Sequence, residues 1–492
     1  MKNNQKIWVA GALCLLPLVG SAQQPEPLTA VRRLYDDGKE LFLRHDYAAA
    51  RQTLEKALIQ CPHAGWTDEA AYMLVCTAYE LDAPDRINQL QAYLKKYPES
   101  RYAARVRSLL GTAYYTEGNY KQAIACYREA RLETLGNAER DASTLRLGVS
   151  YLKTGDYREA SVWLNMLKSI SPEYRNDAIY HLAYIAYVEK KYTQALEGFQ
   201  AVSSDNKYVP LAPYYMADIY LNNGEYSRSE SLAASYLRSY PQQEKAVEMT
   251  RIEGESLYGL GKYAEAVSAL EKYKQAKGDA AERNAMYKLG MSYYHTGVYS
   301  KAAEALSEAE QEPDALAQNA YLHQGLAYLQ LKDRTRARMS FEQASAMSAD
   351  SAIREQALYN YALCLHETSY SPFAESVTVF ERFLNEFPQS AYTDRVNDYL
   401  VEVYMNTRNY ETALRSIAKI SHPGVRILEA KQKLLFRMGT QQVAQARFDE
   451  AIDYFSRSLQ LGQYNRQTQA DAYYWRGESK YRKGQYEAAA AD

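Results

Sequence analysis

The chain of 492 residues is predicted to fold as an all-α solenoid of tandem helix–turn–helix units. Two observations predict it. The stretch from Tyr102 to Arg131, YAARVRSLLGTAYYTEGNYKQAIACYREAR, reads as two short helices joined by a tight turn at Glu117-Gly118-Asn119. Nearly everything after the first few dozen residues repeats that stretch with variation.

Within the stretch, Val106, Leu109, Leu110, Ala113 and Tyr114 recur at helical spacing, as do Ala123, Ile124, Tyr127 and Ala130. Each half therefore carries one apolar stripe. Gly118 supplies the positive φ that ends the first helix, and Asn119 begins the turn. Gly111 and Ala123 are small where the two helices should cross, and Tyr114 and Tyr127 fill the space beside them. One hairpin cannot bury its own stripe, so it needs neighbours. The small residue of the first helix recurs at Gly38, Gly111, Gly148, Ala183, Ala217, Gly254, Gly290, Gly325, Val401, Gly439 and Gly477. A second series follows at Ala50, Ala123, Ala160, Ala195, Ser229, Ala266, Ala302, Ala337, Ala413, Ala451 and Ala489. The period is about 37 residues, in the range of stacked repeat proteins.

Taken in order, Met1 to Ala22 reads as a secretory signal. Lys2 and Lys6 give a short positive start, Ile7 to Gly20 is apolar, and Gly20-Ser21-Ala22 offers small residues for cleavage after Ala22. The apolar run falls short of the roughly 20 residues that span a bilayer. Residues 23–30, with Pro25 and Pro27, read as a linker, and residues 31–492 as the solenoid. About thirteen units begin near Val31, Asp68, Tyr102, Asp141, Asn176, Leu211, Lys245, Glu282, Asp314, Ile353, Thr393, Arg426 and Thr468. In the second, Asp82-Ala83-Pro84 replaces the Gly-x-Tyr turn. The tenth carries an insertion from His366 to Phe373, and the twelfth a long first helix from Val425 to Gln442. The last unit reaches Asp492 without a polar cap, so the natural protein is expected to continue.

The pattern of a small residue, Tyr three later, then Gly/Asn-Tyr-x-x-Ala-x-x-x-aromatic-x-x-Ala resembles the tetratricopeptide repeat, over about residues 31 to 492. That family ends each unit with proline, and this chain has Pro62, Pro98, Pro172, Pro241, Pro313, Pro388 and Pro423 at about that place. Sel1-like repeats share the period, but their extra glycines and longer loops are not seen. The resemblance implies a right-handed superhelix of paired helices whose first helices line a concave face.

Catalytic and metal chemistry find little support. His45, His63, His181, His295, His323, His366 and His422 are scattered, with no helical zinc spacing. No nucleophile–base pair and no cofactor motif stands out; the segment from Gly254 to Lys262 is a helix and turn, not a phosphate loop. The formal net charge of −2 and the lack of a long basic run argue against nucleic acid. Cys61 and Cys76 lie on successive helices and have two readings, a disulfide or free buried thiols.

Tyrosine is the compositional outlier, with 47 residues, more than turn and packing positions require. In the family the chain resembles, the exposed stripe of the concave face lies three before, one after and four after the small residue. Those positions give Tyr115, Tyr180, Tyr184, Tyr187, Tyr214, Tyr258, Tyr287 and Tyr294 as candidate partner-binding residues. The same tyrosines have a second reading, as packing between units. The Lys/Asn carboxylate clamp of the chaperone-binding branch is absent, since Tyr35 and Lys39 stand at its places in the first unit. The expected function is a non-enzymatic, exported scaffold that binds other proteins in a bacterial, Bacteroidetes-like envelope, as peptide segments or folded partners, with outer-membrane or envelope assembly as its setting. Periplasmic location follows from that reading, with no cofactor, nucleic acid, small-molecule substrate or membrane span. The alternative is the extracytoplasmic sensor arm of a longer signalling protein whose membrane helix and output domain follow residue 492.

Overall fold

The computed structural model describes residues 27–368 and 375–492. The signal segment with its cleavage point at Ala22 lies outside the described residues, as does the centre of the insertion around Ser371-Pro372. Among the described residues the chain is all-α, with short 3-10 turns and no strand. Helices come in thirteen pairs. The first helices begin at Pro27, Thr67, Ala103, Asn137, Arg175, Ala212, Ala246, Arg283, Ala315, Ser351, Thr393, Val425 and Arg466. Their second helices begin at Tyr47, Arg86, Tyr120, Tyr157, Tyr192, Tyr226, Tyr263, Tyr299, Arg334, Glu375, Tyr410, Phe448 and Tyr486. The first helix, Pro27–Leu43, starts inside the stretch read as linker. Proline suits that place, because the first-turn N–H has no helical partner to lose. The chain divides into two compact units, Met1–Ala212 and Pro213–Asp492, carrying five and eight pairs respectively.

Most of the described turns inside a pair are left-handed caps; the one between Thr393–Asn406 and Tyr410–Ile417 is not, with Thr407 extended at φ −75°. Gly118 has φ 77°; its N–H donates to Tyr115 O at 3.1 Å and the Asn119 N–H reaches back to Tyr114 O at 2.8 Å. Both bonds use carbonyls that the helix end leaves unpaired. The Asp82-Ala83-Pro84 turn keeps the same cap with Asp82 at φ 51°, Asp82 N–H to Tyr79 O and Ala83 N–H to Ala78 O, each at 3.0 Å. The unit that reads as irregular in sequence is regular in backbone, at the modest cost of a non-glycine residue in the left-handed region.

Packing within a pair follows one register. A Cβ built on Gly111 would meet the Tyr127 ring at 2.9 Å, on Gly148 the Leu164 side chain at 2.9 Å, and on Gly439 the Phe455 ring at 2.5 Å. The glycine thus accepts a large residue sixteen positions on, not the alanine of the second series. Those alanines (Ala123, Ala160, Ala266, Ala337, Ala451) are fully buried beside the contact. Where the first helix has Ala217, the sixteenth residue on is Ala233, also fully buried, so volume is traded across the interface. Burying each such Leu, Phe or Tyr contributes about 1.5–3 kcal/mol.

Candidate partner-binding face

The eight candidate tyrosines are all half-buried, four in each unit. The structure sorts them by their offset from the small residue. Those four after it turn onto the first residue of their own second helix. Tyr115 packs edge-on to Tyr120 at 5.8 Å between ring centres, Tyr258 to Tyr263 at 5.8 Å and Tyr294 to Tyr299 at 5.5 Å, while Tyr187 tilts against Tyr192 at 6.4 Å. Tyr184, one after Ala183, lies 6.4 Å from Tyr187 on the same helix.

The tyrosines three before the small residue reach beyond their own second helix, Tyr180 to the segment that follows it and Tyr214 and Tyr287 to the next pair. Tyr180 stacks on Tyr208 at 4.4 Å and meets Phe199 edge-on at 5.8 Å. Tyr208 is buried, and its hydroxyl donates to Asp177 Oδ1 at 2.8 Å. Tyr214 receives the Lys245 ammonium over its ring at 5.3 Å. Tyr287 donates to Asn319 Oδ1 at 3.1 Å. Tyr258 and Tyr287 come together around buried Met291, Leu306, Ala309 and Ala320.

The bridging contact recurs where no site residue was expected. Tyr35 stacks on Trp66 at 4.7 Å, Tyr72 on Tyr102 at 4.1 Å and Tyr359 on Tyr392 at 4.2 Å. In each, an aromatic residue on a first helix meets another just ahead of the next first helix. The signal lay in the sequence as an aromatic residue preceding Thr67, Ala103 and Thr393, but its partner one unit earlier could be found only from the stacking.

Charge runs along the same helices in the second unit. Arg251, on Ala246–Gly259, is buried and pairs with Glu255 at 2.8 Å, Glu248 at 3.1 Å and Asp218 of the preceding first helix at 3.5 Å. Glu255 also accepts Lys288 from the following one. Such a chain of alternating charge ties three successive first helices, and each buried charge has a partner. Burial drives the His181 imidazole down to about 4, so it is neutral at physiological pH. Among the described residues Cys61, Cys76, Cys126 and Cys364 are free thiols; burial pushes Cys76 up to about 12. Of the two readings for Cys61 and Cys76, the structure shows the unpaired one. Among the described residues no group of three His, Cys, Asp or Glu could hold a metal ion, and no helix is long and apolar enough to cross a membrane.

Helix pairs in this register, stacked through their first helices, define an α-solenoid of helical-hairpin repeats. The chain belongs to the tetratricopeptide repeat family, whose profile matches residues 108–175, 214–281, 253–320, 287–352 and 436–492, just over half of it. Solved structures similar to it include the C-terminal part of a repeat protein from Cytophaga hutchinsonii (14% identity, 51% of this chain and 98% of that one, TM-score 0.38). Others are a tetratricopeptide repeat protein from Parabacteroides merdae (15%, 68% and 99%, 0.25) and the Cut9–Hcn1 complex of APC/C (15%, 91% and 98%, 0.26). Scores of this size carry no functional meaning. No curated protein matches the chain. As a member of this family it is a protein–protein interaction scaffold; such proteins are generally non-enzymatic, and no catalytic family matches.

Proposed function

We propose that this scaffold is exported and works in a bacterial cell envelope, where its first-helix face holds a protein partner during assembly of an envelope or outer-membrane complex. The observation that carries the binding reading is the tandem array itself, whose first helices present half-buried tyrosine in both units. Tyrosine offers rigid apolar area and a hydroxyl at low entropic cost. Export rests on the pattern from Met1 to Ala22, with residues 23–30 before the solenoid proper.

The test is to tag the natural-length protein, sequence its mature N-terminus, cross-link envelope fractions and identify what co-purifies. A mature start at Gln23 and enrichment of outer-membrane barrels or their assembly factors supports the reading. A retained Met1 removes export. Recovery with inner-membrane signalling components replaces the assembly role with the sensor role.

A further inference from the structure

The position one before the small residue of a first helix packs against second helices. Leu110, Leu147, Leu289 and Met438 stand there, and all are buried. Where a polar residue takes the place in a later pair, the neighbouring second helices satisfy it. Gln324 donates to the Ala303 carbonyl oxygen on the preceding second helix at 3.3 Å and accepts from the Ser340 hydroxyl on its own at 2.6 Å. Arg476 donates to Ser456 Oγ on the preceding second helix at 3.2 Å and to Asp492 Oδ2 at 2.7 Å. Asp37, in the first pair, is exposed. Glu253, one before Gly254, is the exception. It is half-buried, and among the described residues it has no hydrogen bond and no ion pair.

Glu253 lies in an open groove of about 470 Å³ between the second helices of the sixth and seventh pairs, Tyr226–Ser239 and Tyr263–Lys277. Leu237, Val247 and Tyr273 give the groove apolar walls. Thr250, one turn before Glu253 on the same helix face, lines it as well. Thr250 Oγ1 donates its single proton to the Ala246 carbonyl oxygen at 3.0 Å. That hydroxyl is left as an acceptor only, like an ionised carboxylate. The groove's two cations, Arg238 and Lys272, stand one on each flanking second helix; both are exposed, and neither pairs with Glu253 among the described residues. A half-buried carboxylate without a partner opposes folding, and here it replaces the leucine that packs well in other pairs. A break in a packing rule with no local compensation marks a functional residue.

We propose that this groove is a second docking surface, separate from the first-helix face, that takes a lysine or arginine side chain of a protein partner onto Glu253 and Thr250 Oγ1. The methylene stem lies against Leu237, Val247 and Tyr273, since a long basic side chain covers apolar surface with its stem and carries its donors at the tip. Two acceptors without a donor, set between apolar walls, are the complement of a cationic donor on an apolar stem.

The test is selection on an array of random short peptides, acetylated at the N-terminus and anchored through the C-terminus, so that side chains supply the only charges. The full chain is compared with Glu253→Gln, Glu253→Leu and Thr250→Val. The expected result is enrichment of Lys or Arg at one peptide position by the unaltered protein. Replacing that residue by Gln, or Glu253 by Gln or Leu, should weaken binding by about tenfold or more. Thr250→Val should weaken it less. Thermal unfolding is the second readout. Glu253→Leu should hold or raise the unfolding temperature, because leucine suits the position and an unpaired charge is removed, so lost binding is then not lost folding. The double variant Arg238→Met/Lys272→Met should leave the unfolding temperature unchanged, since neither cation serves the carboxylate. Peptides selected with no cationic preference, or the same preference in Glu253→Gln, would overturn the site. So would a fall in unfolding temperature for Glu253→Leu or for the double variant, which would make the carboxylate part of the packing. Failure to select any peptide would overturn it as well.

Discussion

Gly325→Ala puts two opposing effects against each other at one atom. In an exposed helix the exchange would stabilise by about 1 kcal/mol, because alanine loses less backbone entropy. Here the new Cβ would lie 2.6, 2.7 and 2.9 Å from Cε1, Cδ1 and Cζ of Phe341. Carbon pairs prefer about 3.5–4.0 Å. Phe341 is fully buried in a cluster with Leu322, Ala337 and Ala344, so its ring has nowhere to retreat. Overpacking a tight core costs about 1–3 kcal/mol, and contact with three ring atoms argues for the upper part of that range. The expected net loss is about 1–2 kcal/mol once the propensity gain is subtracted. Stability in a repeat array is local, so the assay is native-state hydrogen exchange over Ala315–Gln330 and Arg334–Ala346, with a denaturant midpoint beside it. The control is Phe341→Ala, which copies the Ala217/Ala233 arrangement of the sixth pair. In that background Gly325→Ala should become neutral or stabilising by up to about 1 kcal/mol, giving a coupling of about 1–3 kcal/mol in the double-mutant cycle. Increased protection in the single variant, or an equal cost in both backgrounds, would refute the packing register.

Three further outcomes follow from the geometry. Tyr208→Phe keeps the stack on Tyr180 but removes the donor to Asp177, and should cost about 1–3 kcal/mol by chemical denaturation of the first unit. Arg251→Met leaves buried Asp218 and Glu255 short of a counter-charge and should cost about 3–5 kcal/mol, a loss that Met in place of a surface arginine such as Arg44 would not reproduce. Burial pushes the Glu310 carboxyl up to about 7, with the Tyr321 hydroxyl offsetting only part of the rise, and its Oε1 is buried without a hydrogen bond. Its folded-state value is above its unfolded one, so ionisation opposes folding: the penalty is absent below about pH 4.5 and complete above about pH 7. Glu310→Gln should therefore raise the unfolding temperature at pH 8 and leave it little changed at pH 4; equal effects at both would show that the carboxyl is already solvated.

The sequence by itself determined the repeating unit, because a helix–turn–helix must write its stripe, its left-handed turn and its small crossing residue within a short span. Gly118, Asn119 and the Gly111 series are local requirements, and local requirements are visible in sequence. The candidate partner-binding stripe was legible only as a set of tyrosines at three offsets. Which of them turn onto their own second helix, as Tyr115 and Tyr294 do, and which bridge to the next pair, as Tyr287 does, was decided by how one hairpin stacks on another. The same holds for Arg251, which finds Asp218 and Glu255. Side chains a full repeat apart in the chain become neighbours only through tertiary packing.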